Sequence, residues 1–182
     1  MGILHRIDDM TGQNNKTPPA ISVTENKTKL EQLSDTCEET IYAGTDVKLK
    51  DGNSYRFSYT LKDQANISEM FNACLAGATG YVYHYDDGSC RTFEAADILT
   101  IYYTLSLFKT GQTTYFNQLK QYISTLDDLD EINSIIYGQP LTEPYQEQYN
   151  YLMGYAKSQL DSVVSNIVAA KSKESYYASY TV

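Results

Sequence analysis

The chain has 182 residues, a length that suits one domain with an added arm and argues against two full cores. Hydrophobic residues make up 42% and charged residues 20%, which favours a packed core over disorder. With 14 Lys and Arg against 23 Asp and Glu the net charge is −9, and a surface of that sign disfavours nucleic acid and anionic lipid. No apolar run approaches the roughly 20 residues of a membrane span. We therefore expect no nucleic-acid partner and no membrane insertion.

Tyrosine is the most unusual feature of the composition, with 18 Tyr beside 5 Phe and no Trp. Its ring is apolar and its hydroxyl is polar, so it suits hydrated surfaces and protein contacts as well as cores. The negative charge is distributed unevenly along the chain. Residues 61–182 hold 14 of the 23 Asp and Glu but only 7 of the 14 Lys and Arg. Composition thus permits a role in protein contacts and names no partner.

Residues 1–22 are predicted to form an extended N-terminal arm. Four apolar residues near its start recur at almost helical spacing, namely Ile3, Leu4, Ile7 and Met10. A polar run that ends at Pro18-Pro19 separates them from the rest of the chain. They are too few to form a core, so we predict that they bind a partner chain, with simple disorder as the alternative. The segment lacks the apolar run of a signal peptide, which predicts a protein made and kept in the cytoplasm.

The body, residues 23–137, begins with a helix predicted from near Thr24 to Gly44. A β-hairpin follows, with strands at 47–50 and 54–59 joined by a turn at 51–53, where Asp-Gly supplies the residue with positive φ.

The pattern returns to helical spacing over 63–76, with Asp63 as the predicted N-terminal cap. A second hairpin is predicted from strands at 81–85 and 89–93. A long helix then runs over 94–126, with a kink expected at Gly111 because that stretch has weak helix propensity.

A short helix is predicted from Asp127 or Asp128 to Tyr137, with Gly138 as its stop. The acidic cluster at its start lacks the central glycine and the terminal glutamate of a calcium loop, so it indicates a helix N-terminus. These elements predict an α+β fold in which two β-hairpins form a small antiparallel sheet packed on helices, with a long helical C-terminal half.

Residues 138–182 are predicted to form a C-terminal helix, from about 143 to 170, and a tail. Its apolar residues recur in steps of three and four from Tyr145 to Ile167. We predict that it packs against a second copy or another protein, and the residues expected at the contact are Leu152, Leu160 and Val163. The alternative is packing on the long helix of the same chain.

The search for chemistry finds one arrangement to test around the second hairpin turn, which is His84 with Asp86, Asp87 and Cys90. Without an oxyanion loop or a helix N-terminus aimed at the thiol, an ordinary surface histidine is the favoured interpretation. The three cysteines and two histidines of the chain lack metal-ligand spacing, and no nucleotide-binding or hydrolase motif occurs. We therefore expect a non-enzymatic protein with no cofactor and no metal site.

Six short motifs follow one another in a fixed order: Asp51-Gly52, Asp63-Gln64-Ala65-Asn66-Ile67, Tyr83-His84-Tyr85-Asp86-Asp87-Gly88, Ala96-Asp97, Thr113-Thr114-Tyr115-Phe116-Asn117 and Asp130-Glu131-Ile132. With these motifs, residues 37–137 resemble a family of small tail-region proteins from phages and prophages of Gram-positive gut bacteria. The N-terminal arm and the C-terminal helix have no counterpart in the resemblance.

The resemblance implies a non-enzymatic structural component of a bacteriophage tail, in the baseplate or at the attachment of a tail fibre. Its partners would be other tail or baseplate proteins and further copies of itself, and its location would be the virion, after synthesis in the host cytoplasm. Two alternatives stay open: a tail-fibre assembly chaperone, and a carbohydrate-binding receptor-recognition module that uses exposed tyrosines.

Overall fold

The computed structural model describes residues 23–178, and the side chains of residues 28–170. Its elements in chain order are α1 Val23–Ala43, β1 Thr45–Lys48, β2 Ser54–Phe57, α2 Leu61–Leu75, β3 Gly80–His84, β4 Cys90–Glu94, α3 Ala95–Ile123, α4 Leu129–Ser134 and α5 Tyr145–Ala178. The predicted α+β class is confirmed. The predicted N-terminal arm, residues 1–22, lies outside the described residues.

Both predicted hairpins are confirmed, but they form two small antiparallel sheets of two strands each and not the single sheet that the sequence predicted. In the first, Thr45 pairs with Phe57 and Lys48 with Ser54. The turn contains Gly52 at φ 85°, a left-handed conformation that favours glycine and that the Asp-Gly pair predicts.

The turn of the second hairpin continues the hydrogen bonding of β2 on its free edge. The backbone N–H of Asp86 donates to the carbonyl of Arg56 at 3.0 Å, and the N–H of Ser58 donates to the Asp86 carboxylate at 2.8 Å. Inside, the Phe57 and Phe93 rings lie 5.9 Å apart. The two hairpins therefore form one layer although no strand ladder joins them.

Arg91 links the same hairpins across their surface. Its guanidinium lies 4.5 Å from the centre of the Tyr55 ring and 4.7 Å from that of Phe93. It donates to the Tyr55 hydroxyl at 3.0 Å, and that hydroxyl donates to Asp51 at 2.7 Å. A flat cation held between aromatic faces and a carboxylate thus fixes β4 against the first turn.

The core consists of two clusters, and both α1 and α3 contribute to each. The first lies between the hairpins, the C-terminal half of α1, α2 and the N-terminal half of α3, where Ile98, Ile101 and Leu105 have no exposed surface. The second joins α1, α3, α4 and the loop after α4 around Leu119 and Ile123. α3 also packs against α2, α5 and strands of both hairpins, so it is the element on which the other layers are assembled.

The kink predicted at Gly111 does not interrupt α3, which runs as one helix from Ala95 to Ile123. Gly111 is buried, and a Cβ built there would stand 3.5 Å from both the Met153 methyl and the Tyr149 hydroxyl. Packing of α5 against this point offsets the weak helix propensity that the local sequence shows.

The cap predicted for α2 is also corrected. Thr60 is the N-cap, and Asp63 is the third residue of the helix, in a capping box where each side chain bonds the backbone of the other. The sequence contains two residues suited to capping within one turn, and only their positions relative to the helix start decide between them.

Asp63 is almost fully buried, and its carboxylate collects four hydrogen bonds. The donors are the Thr60 hydroxyl at 2.7 Å and backbone N–H at 3.1 Å, the Ser58 hydroxyl at 2.9 Å and the Tyr83 hydroxyl at 3.1 Å. Burial acts to raise the pKa of Asp63, but the hydrogen bonds outweigh it and hold the pKa below its ordinary value. Burial and the Asp63 charge raise the pKa of Tyr83 to about 12.

The last two helices differ from their predicted bounds. The N-cap of α4 is Asp128, which is one of the two residues predicted for that position. The helix ends at Ser134 and not at the predicted Tyr137. α5 extends from Tyr145 to Ala178, past the predicted end near residue 170.

Replacing Asp63 by asparagine is expected to lower the free energy of unfolding by about 1–3 kcal/mol at neutral pH, because buried donors lose a charged acceptor. A carboxyl whose folded pKa is lowered contributes stability above its unfolded pKa of about 4, and that contribution is lost as the pH falls through the folded value. Urea unfolding from neutral pH to about pH 3 measures both effects. The difference in the free energy of unfolding between the wild type and Asp63→Asn should become smaller below about pH 4.

Asp35→Asn is the matched control, because Asp35 is an exposed aspartate on α1. A difference between Asp63→Asn and the wild type that stays constant down to about pH 3 would contradict the role assigned to the Asp63 charge.

Two glycine-to-alanine substitutions are expected to change the free energy of unfolding in opposite directions. Gly111→Ala should raise the free energy of unfolding by about 0.5–1 kcal/mol, since the helix gains propensity and the new Cβ meets its neighbours at ordinary contact distance. Gly44→Ala should lower it by more than about 1 kcal/mol, because Gly44 has φ +67° and a Cβ would stand 1.8 Å from the Phe57 carbonyl oxygen. Chemical denaturation measures the free energy of unfolding of both variants. Destabilisation by Gly111→Ala would contradict the prediction, because it would show that α5 leaves no room for a Cβ at position 111.

Candidate interaction surface on the C-terminal helix

α5 lies antiparallel along α3, the element against which it packs most extensively. Near the start of α5, the Tyr145 ring lies 5.7 Å from that of Tyr122 on α3. Farther along, Tyr149 and Met153 approach Gly111. Beyond them the Tyr103 hydroxyl donates to the Asp161 carboxylate at 2.7 Å.

A charged pair adds to this last contact. The Lys157 ammonium donates to Asp161 at 2.6 Å, one helical turn away. Hydrogen bonds from Lys157 and Tyr103 lower the pKa of the Asp161 carboxyl. One face of α5 is therefore fixed by both rings and polar groups of the same chain.

The predicted contact residues divide between two sides of α5. Leu160 is half-buried and lies two helical turns after Met153, so it shares the side that faces α3. Leu152 is half-buried and Val163 is 43% exposed. These two lie three turns apart and share the flank of the helix. Packing on the long helix of the same chain, the alternative in the sequence interpretation, is present, and a contact with a partner stays a prediction.

The side of α5 turned away from α3 carries two large aromatic residues. Tyr151 is 70% exposed and Tyr155, one turn later, is 62% exposed. With the flank residues Leu152 and Val163 they cover about a third of the helix circumference, and we call these four residues the outer face of α5. The apolar positions predicted for the C-terminal helix did not include Tyr151. The sequence feature that could have indicated it is its spacing of four residues from Tyr155 in a tyrosine-rich chain.

The other predicted partner residues, Ile3, Leu4, Ile7 and Met10, lie outside the described residues. Their role in binding a partner chain stays a prediction.

The pair singled out for chemistry, His84 and Cys90, lies on the second hairpin. The two residues are cross-strand partners and both are exposed, which agrees with the prediction of a surface histidine. The His84 ring stacks on that of Tyr83, with the ring centres 4.5 Å apart. Of the other cysteines, Cys37 and Cys74 are buried, and burial raises the pKa of Cys37.

The buried carboxylates are engaged by the fold itself. Asp97, 4% exposed in the first turn of α3, accepts from the backbone N–H of Lys50 at 3.2 Å and so ties the first hairpin to that helix. Asp128 accepts from the N–H groups of Asp130 and Glu131, which confirms the predicted helix N-terminus. Among the described side chains, no three His, Cys, Asp or Glu residues form a group that would hold a metal ion.

A comparison with family patterns matches residues 24–136 to DUF4376, a domain of unknown function. The chain belongs to the DUF4376 family. The match extends from the first turn of α1 to just past α4, so α5 lies beyond the DUF4376 domain. No curated protein and no solved structure matches the chain. Within the described part of the chain, no helix has the length and apolar character needed to cross a membrane.

Two substitutions on α5 distinguish its two sides. Leu160→Asp is expected to lower the free energy of unfolding by about 2 kcal/mol or more, because it places a charge against α3. Tyr155→Ser on the outer face should change it by less than about 0.5 kcal/mol. Thermal denaturation followed by circular dichroism measures both. Equal, small effects would show that α3 does not hold α5.

Proposed function

We propose that this DUF4376 protein is a non-enzymatic structural component of a bacteriophage tail, in the baseplate or at the attachment of a tail fibre. It acts through protein contacts, with other tail proteins and further copies of itself as partners. Its site of action is the virion. The resemblance of residues 37–137 to phage tail-region proteins supports the biological setting.

The observation that carries the protein-contact role is the asymmetry of α5. The helix is 34 residues long, which corresponds to about 51 Å, and α3 holds one side of it. The outer face presents Tyr151 and Tyr155 to solvent. Tyrosine is enriched in protein interfaces because its ring offers apolar area with little conformational entropy to lose and its hydroxyl seeks a hydrogen bond.

The ionisable groups inside the body support the non-enzymatic part of the proposal. Asp63 completes the capping box of α2 and Asp97 anchors the first hairpin, so both buried carboxylates have structural hydrogen-bond partners. The Arg91 guanidinium is likewise engaged by Tyr55 and Asp51. Each of these groups stabilises the scaffold that carries α5.

The double variant Tyr151→Ser, Tyr155→Ser is expected to fold with unchanged stability but to be reduced at least ~10-fold in assembled tails, since interface tyrosines are typical hot spots. Quantitative mass spectrometry of purified virions measures incorporation after complementation of a phage that lacks the gene. Leu75→Ser is the matched control, because Leu75 is 50% exposed at the end of α2, away from α5.

Wild-type incorporation of the double variant would contradict the role of the outer face. Absence of the wild-type chain from virions, together with its presence on unassembled fibre protein in infected cells, would overturn the structural role in favour of an assembly chaperone.

A further inference from the structure

A groove of about 350 Å³ lies over α3, between β1 and the early turns of α5. Its lining includes Thr45 of β1, Leu107 and Phe108 of α3, and Tyr149 and Met153 of α5, and all five are half-buried. None of the described residues that line it carries a charge. An occupant would therefore insert apolar side chains and keep its own charges outside the groove.

The chain itself fills the same side of α3 farther along the helix. Tyr115 lies about two helical turns after Phe108, and the Tyr137 ring packs on it with the ring centres 5.0 Å apart. The Tyr115 hydroxyl donates to the Gln139 carbonyl at 2.8 Å, and the Tyr137 hydroxyl donates to the Gln112 side chain at 2.9 Å. Gln112 also lines the groove, so the groove begins where this covering segment of the same chain ends.

The N-terminal arm has an apolar segment with the spacing to continue that cover. Ile3, Ile7 and Met10 follow one another in steps of four and three, so a helical turn would bring them to one side with Leu4 beside them. The polar residues among them would face away from that side: His5, Arg6, Asp8 and Asp9. We propose that this apolar side docks in the groove of its own chain.

The linker between the apolar segment and α1 is long enough for this contact. The Cys37 thiol of α1 lies 3.6 Å from the carbonyl oxygen of Gln112, at one end of the groove. Val23, where α1 begins, precedes Cys37 by about 21 Å of helix and Thr45 by about 33 Å. Residues 11–22 span up to about 40 Å when extended. The arm therefore reaches the groove along the whole of α1.

Attachment to the same chain favours this occupant over the arm of a second copy, the partner-chain contact that the sequence alone suggested. A short linker gives a tethered segment an effective concentration in the millimolar range. Two chains of net charge −9 also repel each other. The docked arm would contact β1, α3 and α5 together, and so hold α5 against the first hairpin. The inference concerns one chain and is independent of the proposed tail role.

A nitroxide attached beside the apolar segment tests the contact in the full chain. The label is placed at Gly12→Cys in a Cys90→Ser background, because Cys90 is exposed and the other two cysteines are buried. Methyl NMR spectra measure the paramagnetic broadening. We expect broadening at Leu107 and Met153 to exceed that at Leu75 at least ~5-fold, since tethering keeps the arm docked.

Leu75 is the reference because α2 packs on the opposite side of α3. The Phe71 ring of α2 stacks on Tyr102 with the ring centres 3.8 Å apart. Tyr102 lies nine residues before Gly111, which is two and a half helical turns. Equal broadening at the reference and at the groove would overturn the proposal, because it would show an arm with no preferred site.

Two charge substitutions in the arm form a matched pair. Ile7→Asp should reduce the broadening at the groove to the level of the reference, because it places a carboxylate against an apolar surface. His5→Asp also adds a negative charge, but on the polar side, and should leave the broadening unchanged. Loss of broadening in both variants, or in neither, would overturn the assignment of the apolar side to the groove.

A mixed sample shows whose arm occupies the groove. It combines ¹³C-methyl-labelled chains that lack the nitroxide with unlabelled chains that carry it, so only contacts between chains broaden the observed signals. Broadening at the groove when one chain carries both labels, and none in the mixture, supports the proposal. Comparable broadening in the mixture would overturn it in favour of the arm of a second copy, and no broadening in either sample would overturn it outright.

Discussion

Burial of α3 from both sides along most of its length is the constraint on which the rest of the structure depends. Ile101 and Leu105 are fully buried in the cluster with the hairpins, and Leu119 and Ile123 are buried in the cluster with α1 and α4. α1 also reaches both clusters, with Cys37 and Ile41 in the first and Leu33 in the second. α3 is the longer connection between them, because its 29 residues span about 44 Å and it contacts the hairpins, α1, α2 and α5.

α3 also determines which side of α5 is exposed to solvent. Because α3 takes up the side of α5 that carries Tyr149, Met153 and Leu160, the polar-tipped aromatic side with Tyr151 and Tyr155 stays exposed. The DUF4376 match ends at residue 136, so this surface is an addition to the family domain. We interpret the domain as the scaffold and α5 as the part that would give this chain its own partners.

Short sequence patterns predicted the first turn and the helices, because these elements are determined by residues that lie close together in the sequence. Asp51-Gly52 fixed the first turn, and the three-to-four spacing of apolar residues located the helices. The choice between Thr60 and Asp63 as the α2 cap depends on the residue at which the helix starts, and the uninterrupted course of α3 at Gly111 depends on packing against Met153, 42 positions away.

The central proposal is that the outer face of α5 contacts a partner protein in a phage tail, and site-specific photo-crosslinking tests it most directly. A benzophenone amino acid replaces Tyr155 during infection, and in a parallel experiment it replaces Val82, which is 64% exposed on the outer surface of the second hairpin. We predict a crosslink from position 155 to a tail protein or to a second copy of the chain in purified virions, and none from position 82. Crosslinks from position 82 alone, or from neither position in virions that contain the chain, would contradict the account.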